Sequence, residues 1–182
     1  MNETLKAIAA RYSCREYLDK PVEKDKLRAI AEAAVQSPSA MNNQPWHIAV
    51  ITDKNLIKEL DEEGLKIIAD RDDKSMYEVI KARNSSICCD APCVIMIPIK
   101  DGAGMDCGVV CQSITIAATS LGLGSLICWQ AGIAFSGDRG SELMQKIGFP
   151  EGYEFGMAVL VGYEATKGKP HEPDLSKISY VE

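Results

Sequence analysis

The sequence predicts an α+β domain, with helices packed on a small number of strands, and three observations predict it. The chain has 182 residues, 46% of them hydrophobic and 25% charged, the range of an ordinary globular domain with one sizeable core. "CVIMIPI", Cys93 to Ile99, is a near-continuous apolar run, which suits a strand covered on both faces. Around it, helical periodicity is more frequent than alternation, and helices separated by few strands point to an α+β sandwich. One domain over residues 1–182 accommodates every element.

In chain order, a first helix is expected from about Asn2 to Ala10, ending in "RYSCREY". "KPVEKDKLRAIAEAAVQSPSA" follows as a helix, because Leu27, Ile30, Ala31, Ala34 and Val35 fall at helical spacing. Glu23 and Asp25 suit its positive end, and Ser37-Pro38 stops it. "WHIAVIT" alternates and is rich in branched residues, so it reads as a strand. "NLIKELDEEGLKII" is amphipathic and helical, "DRDDK" is a connection, and "KSMYEVIKARNSSICC" reads as a further helix. After the Cys93–Ile99 strand, "MDCGVVCQSITIAATSLGLG" gives a long helix from about Asp106, with Asp106 as a candidate cap and Gly122 or Gly124 as its stop. Val109, Val110, Ile114, Ile116, Ala117, Ala118 and Leu121 cover more than one of its faces. This helix is therefore expected at the centre of the domain or of a dimer. "SLIC" is short and apolar, "DRGSELMQKIGF" is a surface helix, and "GMAVLVGYEA" is another strand.

The formal net charge of -6 argues against a nucleic-acid surface. The first twenty residues hold no apolar core of signal-peptide length, and no later stretch approaches a membrane span; the expected location is the cytoplasm. Seven cysteines, an odd count, argue against a disulfide framework. No CxxC pair offers a metal or iron–sulfur site. Cys14, Cys88, Cys89, Cys93, Cys107, Cys111 and Cys128 are thus expected to be packing thiols in a reducing compartment.

Three polar clusters could carry chemistry. In "RYSCR", Arg11, Ser13 and Arg15 alternate, so an extended backbone projects them to one side. Two guanidiniums and a hydroxyl facing one way suit a phosphate; a solvated helix end with scattered arginines is the plainer explanation. "PSAMNNQPW" runs straight from turn-forming residues and amides into an apolar strand, and Trp46 after Gln-Pro suggests a loop pinned against something flat. "KGKPH" adds Lys167, Lys169 and His171. There is no GxGxxG or GxxxxGK[ST] fingerprint, and no nucleophile–base arrangement can be read. Such an enzyme takes its chemistry from a bound cofactor, here one bearing a phosphate and a flat ring.

Taken together, these stretches resemble the FMN-dependent nitroreductase family over nearly the whole chain. Its R-x-S-x-R stretch is matched by Arg11, Ser13 and Arg15. Its P-S-x-x-N-x-Q-P-W loop is matched by Pro38, Ser39, Asn42, Gln44, Pro45 and Trp46. Its D-x-G-x-x-x-Q helix ending A-x-x-L-G-L-G is matched by Asp106, Gly108, Gln112, Ala118 and Leu121 to Gly124. The strand ending V-G-Y and the basic tail are matched by Val161 to Tyr163 and Lys169.

The resemblance implies a nitroreductase-like fold, a central and mostly antiparallel sheet flanked by helices, dimeric with FMN at the interface. It places Arg11, Tyr12, Ser13 and Arg15 at the FMN phosphate and ribityl chain with Lys169. The family often has arginine two residues after that lysine, where this chain has His171. Pro38, Ser39, Ala40 and Asn42 of the partner subunit, with Gln44, would line the isoalloxazine edge. Cys128, Trp129 and Gln130 would offer groups near flavin N5, and Arg15 or Arg83 a positive charge near N1 and O2. No side chain is then asked to react covalently. NADH or NADPH is the implied reductant, and a nitroaromatic, quinone or related small molecule the acceptor. The segment from residue 61 to 84 would cover the substrate. A flavin store or thiol redox sensor without NAD(P)H turnover is the alternative.

Overall fold

The structure, a computed structural model, describes residues 1–83 and 85–182. Its strands are β1 (Ala49–Ile51), β2 (Cys93–Ile99), β3 (Gly124–Ile127) and β4 (Glu154–Gly162). They form one antiparallel sheet in the order β1-β2-β4-β3. Every residue of β2 is buried, as its unbroken apolar run predicts. Period-2 alternation divides those side chains between two cores. Ile95 and Ile97, with Val159 and Val161 of β4, join one cluster; Val94 and Met96, with Ala158 and Leu160, join the other. Each fully buried Ile or Leu contributes about 1.5–3 kcal/mol, so β2 and β4 anchor both faces.

The helices are α1 (Glu3–Ala10), α2 (Lys24–Val35), α3 (Lys54–Asp70), α4 (Ser75–Ala82), α5 (Gly104–Ser120) and α6 (Gly140–Ile147). Helices α2 and α5 cover the first face, packed on each other through Leu27, Ile30 and Ala34 of α2 and Val110, Ile114 and Ala118 of α5. Helix α3 and a 3-10 segment, Trp129–Ser136, cover the second. Asn2 caps α1 by accepting the Leu5 amide at 3.0 Å, and Asp53 caps α3 through Asn55 and Leu56. Gly122 stops α5 at φ 74°. Its amide donates to Thr119 and that of Leu123 to Ala118, a left-handed closure that glycine enters without steric cost.

Three expectations need correction. Asp106 does not cap α5: the cap position belongs to Ala103 and Asp106 lies in the first turn. The strand expected over "WHIAVIT" pairs only at Ala49–Ile51, with a lone bridge from Trp46 to Ile99. The Pro98 carbonyl accepts the His47 amide at 2.8 Å, but Pro98 has no N–H to return, which interrupts the ladder there. The helix expected through Cys89 ends at Ala82, and Cys89 and Asp90 both take φ 52°, which no α-helix tolerates. In the single chain α5 leaves Met105 87% and Val109 37% exposed.

Candidate functional site

The segment after α1 is extended and held on both sides. Ser13 bridges Ser125 in parallel, and the Cys14 amide donates to the Ser125 carbonyl at 2.9 Å. On the other side Tyr17 pairs with Glu164, the Ala165 amide donates to Glu16 at 2.9 Å, and that of Leu18 to Tyr163 at 2.8 Å. Residues 163–168 therefore run antiparallel beside residues 12–18. The expected alternation holds: Cys14 is buried while Ser13 and Arg15 face outward and Arg11 is half-buried.

Tyr12 is used differently from its expected place among the cofactor ligands. Its hydroxyl donates to the Glu164 carboxylate and sits 3.3 Å from the Thr166 carbonyl. Removal from water and the Glu164 contact push its pKa up to about 12. Its ring lies so close to Gly168 that a Cβ there would overlap it. Tyr12 thereby fixes the tail, and Lys169 stands one residue past that contact.

Arg15, Arg83, Cys128 and Gln130 meet around one cavity of about 870 Å³, within the size range of small-molecule sites. One wall is Arg15, Glu16 and Tyr17; another is Val79, Ile80 and Arg83, on and just past α4. A third is the turn Ser85–Asp90, and the fourth is the end of β3 with Leu126 and Ile127. The Cys128 amide is not free for a ligand, because it donates to Ala158 at 2.8 Å; burial pushes its thiol up to about 11. Trp129 is 57% exposed and lies outside the cavity lining.

The cations are poorly neutralised. Among the described residues, the guanidiniums of Arg11 and Arg83 and the ammonium of Lys169 take no ion pair and no hydrogen bond, and Arg15 only donates to the Ser13 carbonyl at 3.2 Å. His171 is exposed and likewise unbonded among them.

The loop from Pro38 to Gln44 stands apart; none of its residues lines this cavity. Met41, Asn42 and Gln44 take φ of 51°, 56° and 45°, a cluster of left-handed non-glycine residues that persists only where neighbours enforce it. Ser39 Oγ accepts the Gln44 amide at 2.9 Å, Asn42 Oδ1 accepts from Gln44 Nε2 at 3.2 Å, and Asp106 Oδ1 accepts the Ala40 amide at 3.1 Å. Trp46, 7% exposed, anchors the end of the loop in the core. Among the described residues no three His, Cys, Asp or Glu side chains gather to hold a metal, and no helix is long and apolar enough to cross a membrane.

The pattern of the Nitroreductase family matches residues 8–163, which include the outward arginines, the strained loop and all four strands. The chain belongs to the nitroreductase family. This nitroreductase superposes on a crystal structure from Desulfitobacterium hafniense, described as a nitroreductase with bound FMN, with a TM-score of 0.96 and 47% identity over 100% of both chains. A nitroreductase with bound FMN from Bacteroides fragilis gives a TM-score of 0.91 at 29% identity, again over 100% of both chains. A Bacillus subtilis protein named FMN reductase [NAD(P)H] is 28% identical over 95% of this chain and 71% of its own.

Sequence reasoning missed the Ser85–Asp90 wall of the nitroreductase cavity, which it assigned to a helix. One signal was available. Asp61 falls three and four residues from Gly64 and Ile57, inside the apolar stripe of α3, and it is buried to 7% exposure. A buried carboxylate without an ion pair of its own among the described residues, unlike the neighbouring Glu63 with Arg139, marks a donor that needs an acceptor. That donor is the Cys88 amide, at 2.8 Å.

Proposed function

We propose that this nitroreductase binds FMN and uses it to pass reducing equivalents from NADH or NADPH to small acceptors such as nitroaromatics and quinones. The observation that carries the reading is Arg15 and Arg83 on the lining of one cavity, with Arg11 shortly before Arg15 in the chain, none of them ion-paired among the described residues although Glu16 and Asp90 also line the cavity. Guanidiniums not committed to a carboxylate are available to an anion. Arg11, Ser13, Arg15 and Lys169 would hold the phosphate and ribityl chain, Tyr12 acting by fixing the tail that carries the lysine. The cavity combines apolar Leu126, Ile127 and Ile80 with the Gln130 amide and two guanidiniums, a donor set suited to a flat heterocycle with polar edges. When bound there, FMN supplies two-electron chemistry, taking hydride from a reduced nicotinamide and giving it up to the acceptor. The chain supplies position, and Arg15 and Arg83 supply positive charge that favours an anionic product.

Homodimerisation is part of the reading. The loop Pro38–Gln44 is tied to the start of α5, whose outward face carries Met105 and Val109, and Met41 of the loop is itself 93% exposed. Apolar groups this exposed on a rigid loop and an adjacent helix suit contact with a second copy. Docking of that copy would bring its loop, and with it Ser39, Ala40 and Asn42, to the cavity of the first. The free cysteines support a cytoplasmic location. Burial pushes the Cys14, Cys88 and Cys128 thiols up, which disfavours these three as redox-sensing thiolates, whereas a hydrogen bond with Cys111 holds the Cys107 thiol below its ordinary value.

The test is anaerobic. Cofactor released by heat should run with FMN rather than FAD, NADH or NADPH should bleach the flavin band, and a quinone should restore it. A protein that retains FMN but stays yellow under excess NADH and NADPH would leave flavin storage as the function.

A further inference from the structure

We infer that Asp61 is a positioning residue for the nitroreductase cavity: by accepting the Cys88 amide, its carboxylate holds the Ser85–Asp90 turn in place as a cavity wall. The inference rests on the reading of that cavity as the cofactor and acceptor site.

The turn needs such a holder. Its internal bonds run from Cys89 to the Ser86 carbonyl, from Ala91 to the Cys88 carbonyl, and from the Asp90 amide to Ser86 Oγ at 2.9 Å. These shape the turn but do not attach it to the body of the protein. Cys89 and Asp90 are both at φ 52°, so the conformation is intrinsically unfavourable for residues with a Cβ. Ile87 and Cys88 pack into the second core; among the described residues the polar attachments are the Cys128 thiol, 3.6 Å from the Ile87 carbonyl, and Asp61. A thiol is a weak donor, whereas a carboxylate accepting an amide is a strong partner. Asp61 reaches the turn from α3, a helix fixed by Ile57, Leu60 and Ile68 in the core.

Burying a carboxylate in this place is costly, and nothing else in α3 requires one. An apolar residue at position 61 would complete the stripe of the helix but leave the Cys88 amide buried and unpaired. The effect of the carboxylate passes through the turn to Ser86, Cys89 and Asp90, which line the cavity.

Two readouts on Asp61→Ala and Asp61→Asn test this. Cys89 is the one thiol of the seven that is not fully buried, so its labelling by a small uncharged maleimide in cofactor-free protein reports opening of the turn. Asp61→Ala should speed labelling about tenfold or more, the factor expected when a buried donor loses its acceptor. Asp61→Asn, which keeps an oxygen acceptor, should stay within about threefold of the parent protein. In FMN-loaded enzyme, Asp61→Ala should raise KM for a quinone acceptor more than it lowers kcat, and Asp61→Asn should restore it. Loss of folded protein alone would lower kcat per chain and leave KM unchanged. If the alanine variant does not fold, Asp61→Ser is judged by the same readouts. Labelling at the parent rate overturns the inference, and so does faster labelling with unchanged KM. If the unmodified enzyme is not reduced by NAD(P)H at all, the reading of the cavity fails instead, while the labelling comparison still decides whether Asp61 holds the turn.

Discussion

Asp106 of α5 accepts the amide of Ala40 at 3.1 Å, joining the helix to the loop that precedes β1. A second tie, between the hydroxyls of Ser37 and Ser113 at 2.8 Å, fixes the approach to the same loop. A segment with left-handed Met41, Asn42 and Gln44 keeps its shape because such contacts over-determine it. The aspartate of the D-x-G-x-x-x-Q stretch thus sets the geometry of a loop more than sixty residues earlier.

Replacing that aspartate should affect the cofactor more than the fold. Asp106→Ala removes one charge-assisted hydrogen bond, about 1–3 kcal/mol in a partly exposed setting. Most of that loss falls on the loop, so FMN affinity should drop about fivefold to tenfold. Asp106→Asn, which keeps Oδ1 as acceptor, should lose less. Titration of cofactor-free protein with FMN, alongside thermal melting, separates the two effects; a large fall in melting temperature with unchanged affinity would place the role of Asp106 in the fold.

Gly168 offers a test of the tail. A methyl group there would overlap the Tyr12 ring, so Gly168→Ala must displace the tail segment that carries Lys169. The tail buries little, and stability should hardly change. FMN affinity should fall about tenfold, as for loss of one phosphate contact. Unchanged affinity would show that Lys169 has no part in the phosphate site.

The stability of the protein should carry a mark of Asp61. Burial raises its carboxyl pKa above the ordinary value, opposed by the Cys88 amide, with Asp90 adding to the rise. Cys88 and Cys128 also face it. The folded state then holds a proton that the unfolded state has released, so between the ordinary aspartate value and the raised one stability falls as pH rises. Asp61→Asn should flatten this part of the curve. Urea unfolding across the acid range checks the sign: a steeper dependence in Asp61→Asn would contradict it.

Much of this was legible in the sequence, for physical reasons that differ by element. The β2 run needed two covered faces and has them. Alternation of Arg11, Ser13 and Arg15 about a buried Cys14 follows from strand geometry alone. The turn at Ser85–Asp90 was not legible, because Cys89 and Asp90 adopt left-handed backbone without a glycine to announce it. Its holder lies in α3, and only the tertiary fold brings the two together. The role of Tyr12 was hidden for a similar reason: its partners Glu164, Thr166 and Gly168 follow it by more than 150 residues. Asp106 looked like a helix cap because acidic residues favour first turns, but its oxygen is committed to the loop.

Arg11 and Arg15, without ion pairs among the described residues, are proposed to hold the FMN phosphate. FMN titration of cofactor-free Arg11→Ala, Arg15→Ala double variant, followed by fluorescence quenching with melting temperature as the folding control, tests this role most directly. Each bidentate arginine–phosphate contact is worth about 1.5–3 kcal/mol, so the folded double variant should bind FMN at least about a hundredfold more weakly than the parent. Lysine at either position should restore only part of the loss, because a point charge does not reproduce the guanidinium fork. Parent-like affinity in a well-folded double variant would place the phosphate elsewhere and contradict the site.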